Sequence, residues 1–255
     1  MEGAMAKVIA FANQKGGVGK TTSAVNIAAC IGYRDKRVLL LDCDPQGNAT
    51  SGVGIRKKDV KNTTYDALIG RSKAKDAIIK TKYKNLSVMP ATMALAGAEF
   101  ELVDEENREA RLRRICDEVA DGFDYIIVDC PPSLGILTIN SLAAADGIII
   151  PMQCEYYSLE GLSQLMMSIR QIRNRYNPSL EITGILLTMF NGRLNLTMQV
   201  VAELKKYYAN KLFSTPVARS VRLTEAPGFG PCKCHCCRHY GQIFVVGFDY
   251  CVFCF

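Results

Sequence analysis

No apolar run in the chain is long enough to span a bilayer. The opening residues, MEGAMAKVIAFAN, contain no separate apolar segment followed by a cleavage site. Membrane-spanning and exported classes are set aside on these grounds, and a cytoplasmic protein is the expectation. Met5 is an alternative start, with MEGA as an extension. Before residue 228 there is no internal repeat, low-complexity stretch or linker, which argues against a repeat array or tethered modules. Strong charge imbalance is missing too. Lys and Arg number 31 against 25 Asp and Glu, a net +6 that suits an anionic partner without specifying one. What is present is a chain of 255 residues, 49% hydrophobic and 22% charged. That is enough for one α/β domain with a large core and no disulfide framework. Cys30, Cys43, Cys116, Cys130 and Cys154 then read as small buried hydrophobes.

Six apolar runs of strand length recur: KVIAFA, RVLLLD, LSVMPA, YIIVD, GIIIPM and ITGILLTM. They are nearly continuous rather than alternating, as strands buried on both faces should be. Helical patterns lie between them. Leu162, Leu165, Met166, Ile169, Ile172 and Tyr176 recur at spacings of three and four, as do Leu112, Ile115, Cys116 and Val119. Asn177-Pro178 predicts the end of the longer helix. Strand and helix in alternation predict an α/β fold: a mostly parallel, twisted sheet with helices on both faces. Ligands of such sheets sit at the carboxyl ends of the strands. The first, second and fourth runs end there in NQKGGVGKTT, DCDPQGN and DCPPS.

Gly16, Gly17, Val18, Gly19, Lys20, Thr21 and Thr22 have the composition of a phosphate-binding loop. Glycines let successive backbone N–H groups turn inward around phosphate oxygens, and the helix that follows points its positive end at the same anion. Lys20 suits the β- and γ-phosphates, and the Thr21 hydroxyl suits Mg²⁺. Asp42 and Asp44 alternate along an extended segment and so face different sides. One suits the metal and its waters, the other the attacking water. Asp129, ending YIIVD, reads as a carboxylate holding Mg²⁺ through a water, and Pro131-Pro132 stiffens the segment after it.

Together these motifs, with YYSLEGL and VRLTEAP, resemble the deviant Walker A ATPases of the ParA/MinD group, and within it the ParA/Soj partition ATPases. The resemblance runs from about Lys7 to Gly230. It implies a P-loop NTPase fold, ATP and Mg²⁺ as cofactors, and slow ATP hydrolysis. It also implies a homodimer sandwiching two nucleotides, with Lys20 acting on its own nucleotide and Lys15 reaching the partner's. Asp44 would orient the water, and Asp42 would stand near the metal or behind it. Asn191 would lie near the adenine, with a turn-forming Asn before Gly192 as the competing reading. Arg193 and Arg222 would bind DNA nonspecifically, Lys205, Lys206 and Arg219 adding to the patch. Plain solvated charges are the alternative for each. A ParB-like protein would stimulate hydrolysis, and the protein would be cytoplasmic and nucleoid-associated. A MinD-like adaptor that positions a protein or membrane cargo is the alternative function. That reading wants a C-terminal amphipathic helix, which the sequence lacks, so no membrane partner is expected.

Composition breaks at Pro231. Six of the eleven cysteines and both histidines fall within residues 231–255. The organisation expected is an ATPase domain over 1–230 and an atypical cysteine-rich tail over 231–255. A shifted reading frame accounts for the tail. Zn²⁺ binding through Cys232, Cys234, His235, Cys236, Cys237 and His239 is the alternative, although paired C-x-x-C spacing is absent.

Overall fold

The computed structural model describes residues 5–221 and 223, and the backbone of two short strands at 243–245 and 251–254. Seven strands form one sheet: β1 (Lys7–Phe11), β2 (Val38–Asp42), β3 (Ile79–Lys80), β4 (Leu86–Met89), β5 (Tyr125–Asp129), β6 (Gly147–Gln153) and β7 (Glu181–Thr188). Their order is β3-β4-β2-β5-β1-β6-β7. All pairings are parallel except β3 with β4. The helices are α1 (Lys20–Tyr33), α2 (Asn48–Gly52), α3 (Thr64–Leu68), α4 (Ala98–Glu101), α5 (Arg111–Val119), α6 (Ile136–Ala144), α7 (Ser158–Arg175) and α8 (Asn195–Tyr208).

The continuous apolar runs have a direct cause. Val8, Ala10, Leu39, Leu41, Ile126 and Val128 join one buried cluster, with residues of α5, α6 and α7. Their alternates Ile9, Phe11, Val38, Leu40 and Ile127 join a second cluster on the other face, against α1. Each fully buried Leu or Ile contributes about 1.5–3 kcal/mol by leaving water. A polar residue on either face of a central strand would forfeit that. Pro151 lies inside β6 at no cost to the ladder. There β6 has run past the end of β1, whose last partner is Ile149, and the Pro151 carbonyl instead accepts the Asn13 side-chain amide at 2.8 Å.

The long helix α7 stops at Arg175. Tyr176 is therefore its exposed cap and not its last core position, because the Asn177 amide turns the chain inward onto the Leu142 and Ala145 carbonyls. Cys30, Cys43, Cys116 and Cys130 are buried, and Cys154 is half-buried. Burial pushes Cys116 and Cys130 up to about 12, so both are inert at neutral pH. Strands β8 (Ile243–Val245) and β9 (Cys251–Cys254) pair antiparallel, apart from the main sheet. The boundary expected at residue 230 and the histidines of the tail lie outside the described residues.

Candidate functional site

The strand order sets β2, β5 and β1 side by side at the centre of the sheet, so the three polar motifs share one edge. Between β1 and α1 the chain makes a tight loop. Gly17 and Gly19 hold φ of 73° and 83°, a left-handed backbone that costs any residue with a Cβ roughly 1–2 kcal/mol. Gly19 also caps α1 and offers no side chain to the first N–H groups of that helix. Such a helix end suits an anion.

Neighbouring strands fix the loop from outside. The Lys15 amide donates to Asn13 Oδ1 at 3.0 Å, Gln153 Nε2 to the Gly17 carbonyl at 2.9 Å, and Thr188 Oγ1 to the Val18 carbonyl at 2.8 Å. Lys20 begins α1 and is buried. Its Nζ donates to the Lys15 carbonyl at 3.0 Å. Burial lowers its pKa, and the charges of Asp129 and Asp44 hold it up. Thr22 is exposed on the first turn.

The carboxylates differ sharply in their partners. Asp42 is fully buried. It accepts the Asp44 amide at 3.2 Å, the Thr50 amide at 2.8 Å and the Thr50 hydroxyl at 2.7 Å. Burial nevertheless pushes its pKa up to about 6. Asp44 Oδ1 accepts the Gln46 amide at 2.9 Å. Asp129 stands beside Asp42 in the register of β2 and β5, and is fully buried. Neither of its oxygens has a hydrogen bond of ordinary geometry. The Thr21 hydroxyl is near enough to favour its charge, yet burial and Asp42 keep its pKa well above the usual carboxylate range.

An orphaned buried carboxylate is costly and rare in a folded protein. Here Asp129 stands with a hydroxyl and a second carboxylate, a set of hard oxygen donors beside a phosphate loop. That set fits Mg²⁺, which takes one or two carboxylates and completes its shell with water and phosphate.

The remaining expected residues lie around this centre. Lys15 is partly exposed and ion-paired with Glu155 of its own chain. Asn191 is exposed, and its Oδ1 accepts the Arg193 amide at 3.1 Å, so the turn-forming reading describes its side-chain oxygen. Arg193 is exposed two residues on. Lys206 pairs with Glu203 at 2.6 Å, while Lys205 and Arg219 are exposed. Arg222 lies outside the described residues. Sequence reasoning missed Asn13, Thr50, Gln153, Glu155 and Thr188, four of which act across more than 130 residues of chain. The YYSLEGL segment, directly after Glu155, is the nearest sequence signal.

A family described as an AAA domain matches residues 6–182. Sporulation initiation inhibitor protein Soj of Bacillus subtilis is 55% identical over 226 residues, 89% of this chain and 89% of that protein. Chromosome partitioning protein ParA of Myxococcus xanthus is 51% identical over 224 residues, 88% of this chain and 79% of that protein. Among solved structures, cobyrinic acid a,c-diamide synthase from Mycobacterium smegmatis, with an ATP analogue and magnesium bound, matches with a TM-score of 0.80 at 34% identity. It covers 88% of this chain and 93% of its own.

Proposed function

Because the chain belongs to the Soj/ParA family of partition ATPases, we propose that it binds ATP and Mg²⁺ at the β1–α1 loop and dimerises around two nucleotides. As a dimer it holds DNA without reading its sequence, in the cytoplasm on the nucleoid, and hydrolyses ATP under a ParB-like stimulator. The observation that carries the nucleotide reading is Asp129, a fully buried carboxylate with no hydrogen bond of ordinary geometry, set beside Thr21 and Lys20.

In this mechanism the loop amides and the α1 terminus hold the β- and γ-phosphates, and Lys20 neutralises them. Thr21 and Asp129, with Asp42 behind them, would hold Mg²⁺, which would supply the remaining positive charge on the phosphates. Asp44 orients a water and takes its proton. The water oxygen bonds to the γ-phosphorus as the bond to the bridging oxygen breaks, leaving ADP and phosphate. Asp42 acts by position: its fixed carboxylate sets the start of the DCDPQGN loop.

Lys15 must leave Glu155 to reach a second nucleotide. Exposed ion pairs of this kind are worth about 1 kcal/mol or less, so a partner's phosphates readily outcompete Glu155. Arg193, with Arg222, would contact DNA phosphates, giving affinity that falls steeply with salt. Asn191 would lie beside the base, with its amide nitrogen turned to the ring. The ATPase domain would end near residue 230, the tail beyond it taking no part and holding no metal.

Size-exclusion chromatography with ATP and Mg²⁺, followed by DNA retention, tests this reading. Asp44→Ala should trap a dimer, Lys15→Ala should bind nucleotide as a monomer, and Lys20→Ala should lose nucleotide. Equal loss of nucleotide affinity in the two lysine variants would refute the division between them. DNA retention that ignores ATP, salt and Arg193→Glu would refute the partition mechanism.

A further inference from the structure

A second cationic cleft, of about 370 Å³, opens between the turn after α3 and one face of α5. None of its lining residues belongs to the phosphate loop or the aspartate motifs. The Gly70 backbone, at φ 78°, turns the chain sharply, and the Asp66 carbonyl holds the turn by accepting the Arg71 and Ser72 amides at 2.8 and 3.1 Å. That turn presents Arg71, Ser72 and Lys73 towards a stripe of α5 in which Arg111, Arg114, Ile115 and Glu118 recur at spacings of three and four. Four cations thus line the cleft with Glu118, and two further carboxylates stand at its rim. Glu101 lies 3.7 Å from Arg71, and Glu105 pairs with Arg111. Lys73 and Arg114 make no ion pair among the described residues. Arg113, one position out of the stripe, bonds the Ala143 carbonyl instead.

Two donors under the wall lack partners. Ser72 Oγ and Arg111 Nε are buried and have no hydrogen bond. Buried Leu68 and Ile115 form an apolar floor. Clustered like charges repel one another, and unsatisfied buried donors are costly. A ligand that suits the two unpaired cations is an anion with several oxygens around a small centre, matched to the Arg114 guanidinium fork and the Lys73 ammonium. We propose that this cleft binds a phosphate-bearing anion, independently of the nucleotide at the β1–α1 loop.

Calorimetric titration of the full chain with inorganic pyrophosphate, after saturation with a slowly hydrolysed ATP analogue and Mg²⁺, tests the proposal. A pyrophosphate site is expected that weakens about tenfold or more in Lys73→Ala/Arg114→Ala, both exposed positions, with affinity for the analogue unchanged. A parallel arm measures duplex DNA retention, with Lys61→Ala/Lys82→Ala as a control for charge removed elsewhere. A pyrophosphate site lost in the cleft variant supports a free phosphate compound as ligand. No pyrophosphate site, but a drop in DNA affinity well beyond the control, supports the same cleft serving a phosphodiester backbone. No pyrophosphate site and a drop no larger than the control would overturn the proposal.

Discussion

Strand β5 is flanked by a carboxylate at each end, and the two live under opposite conditions. Asp124, at the amino end, is partly exposed. Its oxygens accept the Arg37 amide at 2.7 Å and the Arg37 guanidinium at 2.9 Å, and that partner holds its pKa below the ordinary carboxylate value. Asp129, five residues on, is buried, without a hydrogen bond of ordinary geometry, and pushed the other way. The amino end of the sheet closes its polar groups upon itself. The carboxyl end satisfies Asp42 through Thr50 but leaves Asp129 open to a ligand. Stability is built at one end and deferred at the other.

Four experiments sharpen that contrast. The largest effect should come from Asp129→Asn. ATP hydrolysis should fall by about a hundredfold or more if, as proposed, this carboxylate faces Mg²⁺. The nucleotide-free protein should melt higher in chelator, since a buried carboxyl held far above its ordinary pKa gives way to a neutral amide, a gain on the order of 1–3 kcal/mol. A lower melting temperature would mean that Asp129 is structural.

Next comes pH. Asp42 rises from 3.8 to about 6 on folding, so between those values the folded state holds a proton that the unfolded state has released. Stability of the nucleotide-free protein should therefore fall as pH rises through this window, by up to about 3 kcal/mol, and level off above it. Urea midpoints across the window, with and without Asp42→Asn, provide the measurement. Third, Thr50→Val should cost roughly 2 kcal/mol. The Thr50 hydroxyl donates to Asp42 and accepts the Ala91 amide at 2.9 Å, tying the ends of β2 and β4. Valine keeps the shape and loses both bonds.

The smallest effect belongs to the amino end. A depressed pKa gives stability that is present above the unfolded value of 3.8 and lost as pH falls through the folded one. Arg37→Ala should lower the melting point slightly at about pH 7 and not at all at about pH 2, the pair being solvent-screened. Calorimetric scans at the two values read this difference. A large loss near neutrality would show that the amino end also carries the fold.

Much of this division is legible in the chain before folding. The six apolar runs became the six long strands because residues that bury on both faces leave no ambiguity of period. The motifs at the ends of β1, β2 and β5 met because parallel strands place all carboxyl ends together. Strand β3 escaped notice, since two residues carry no pattern and its pairing comes from β4. Helix α8 was not singled out, its buried face resting on Thr197, Val200 and Leu204. The loop's supports were equally silent: Thr188 and Gln153 reach it from 170 and 136 positions away. Asn191 shows a further limit. A base-contacting asparagine and a turn-forming one look alike in sequence, and only the bond to the Arg193 amide separates the two uses of its oxygen.

The ties from Asn13, Gln153 and Thr188 also bear on timing. A glycine loop free in solution would sample many shapes, and a phosphate would have to wait for the right one. Here the sampling ends when the strands assemble, so the ordering entropy is already lost before ATP arrives. Arrival should then be set by encounter, with little rearrangement on the way. Thr188→Val, which removes the tie to the Val18 carbonyl, would restore the waiting step. In stopped-flow binding it should show as slower association with little change in release.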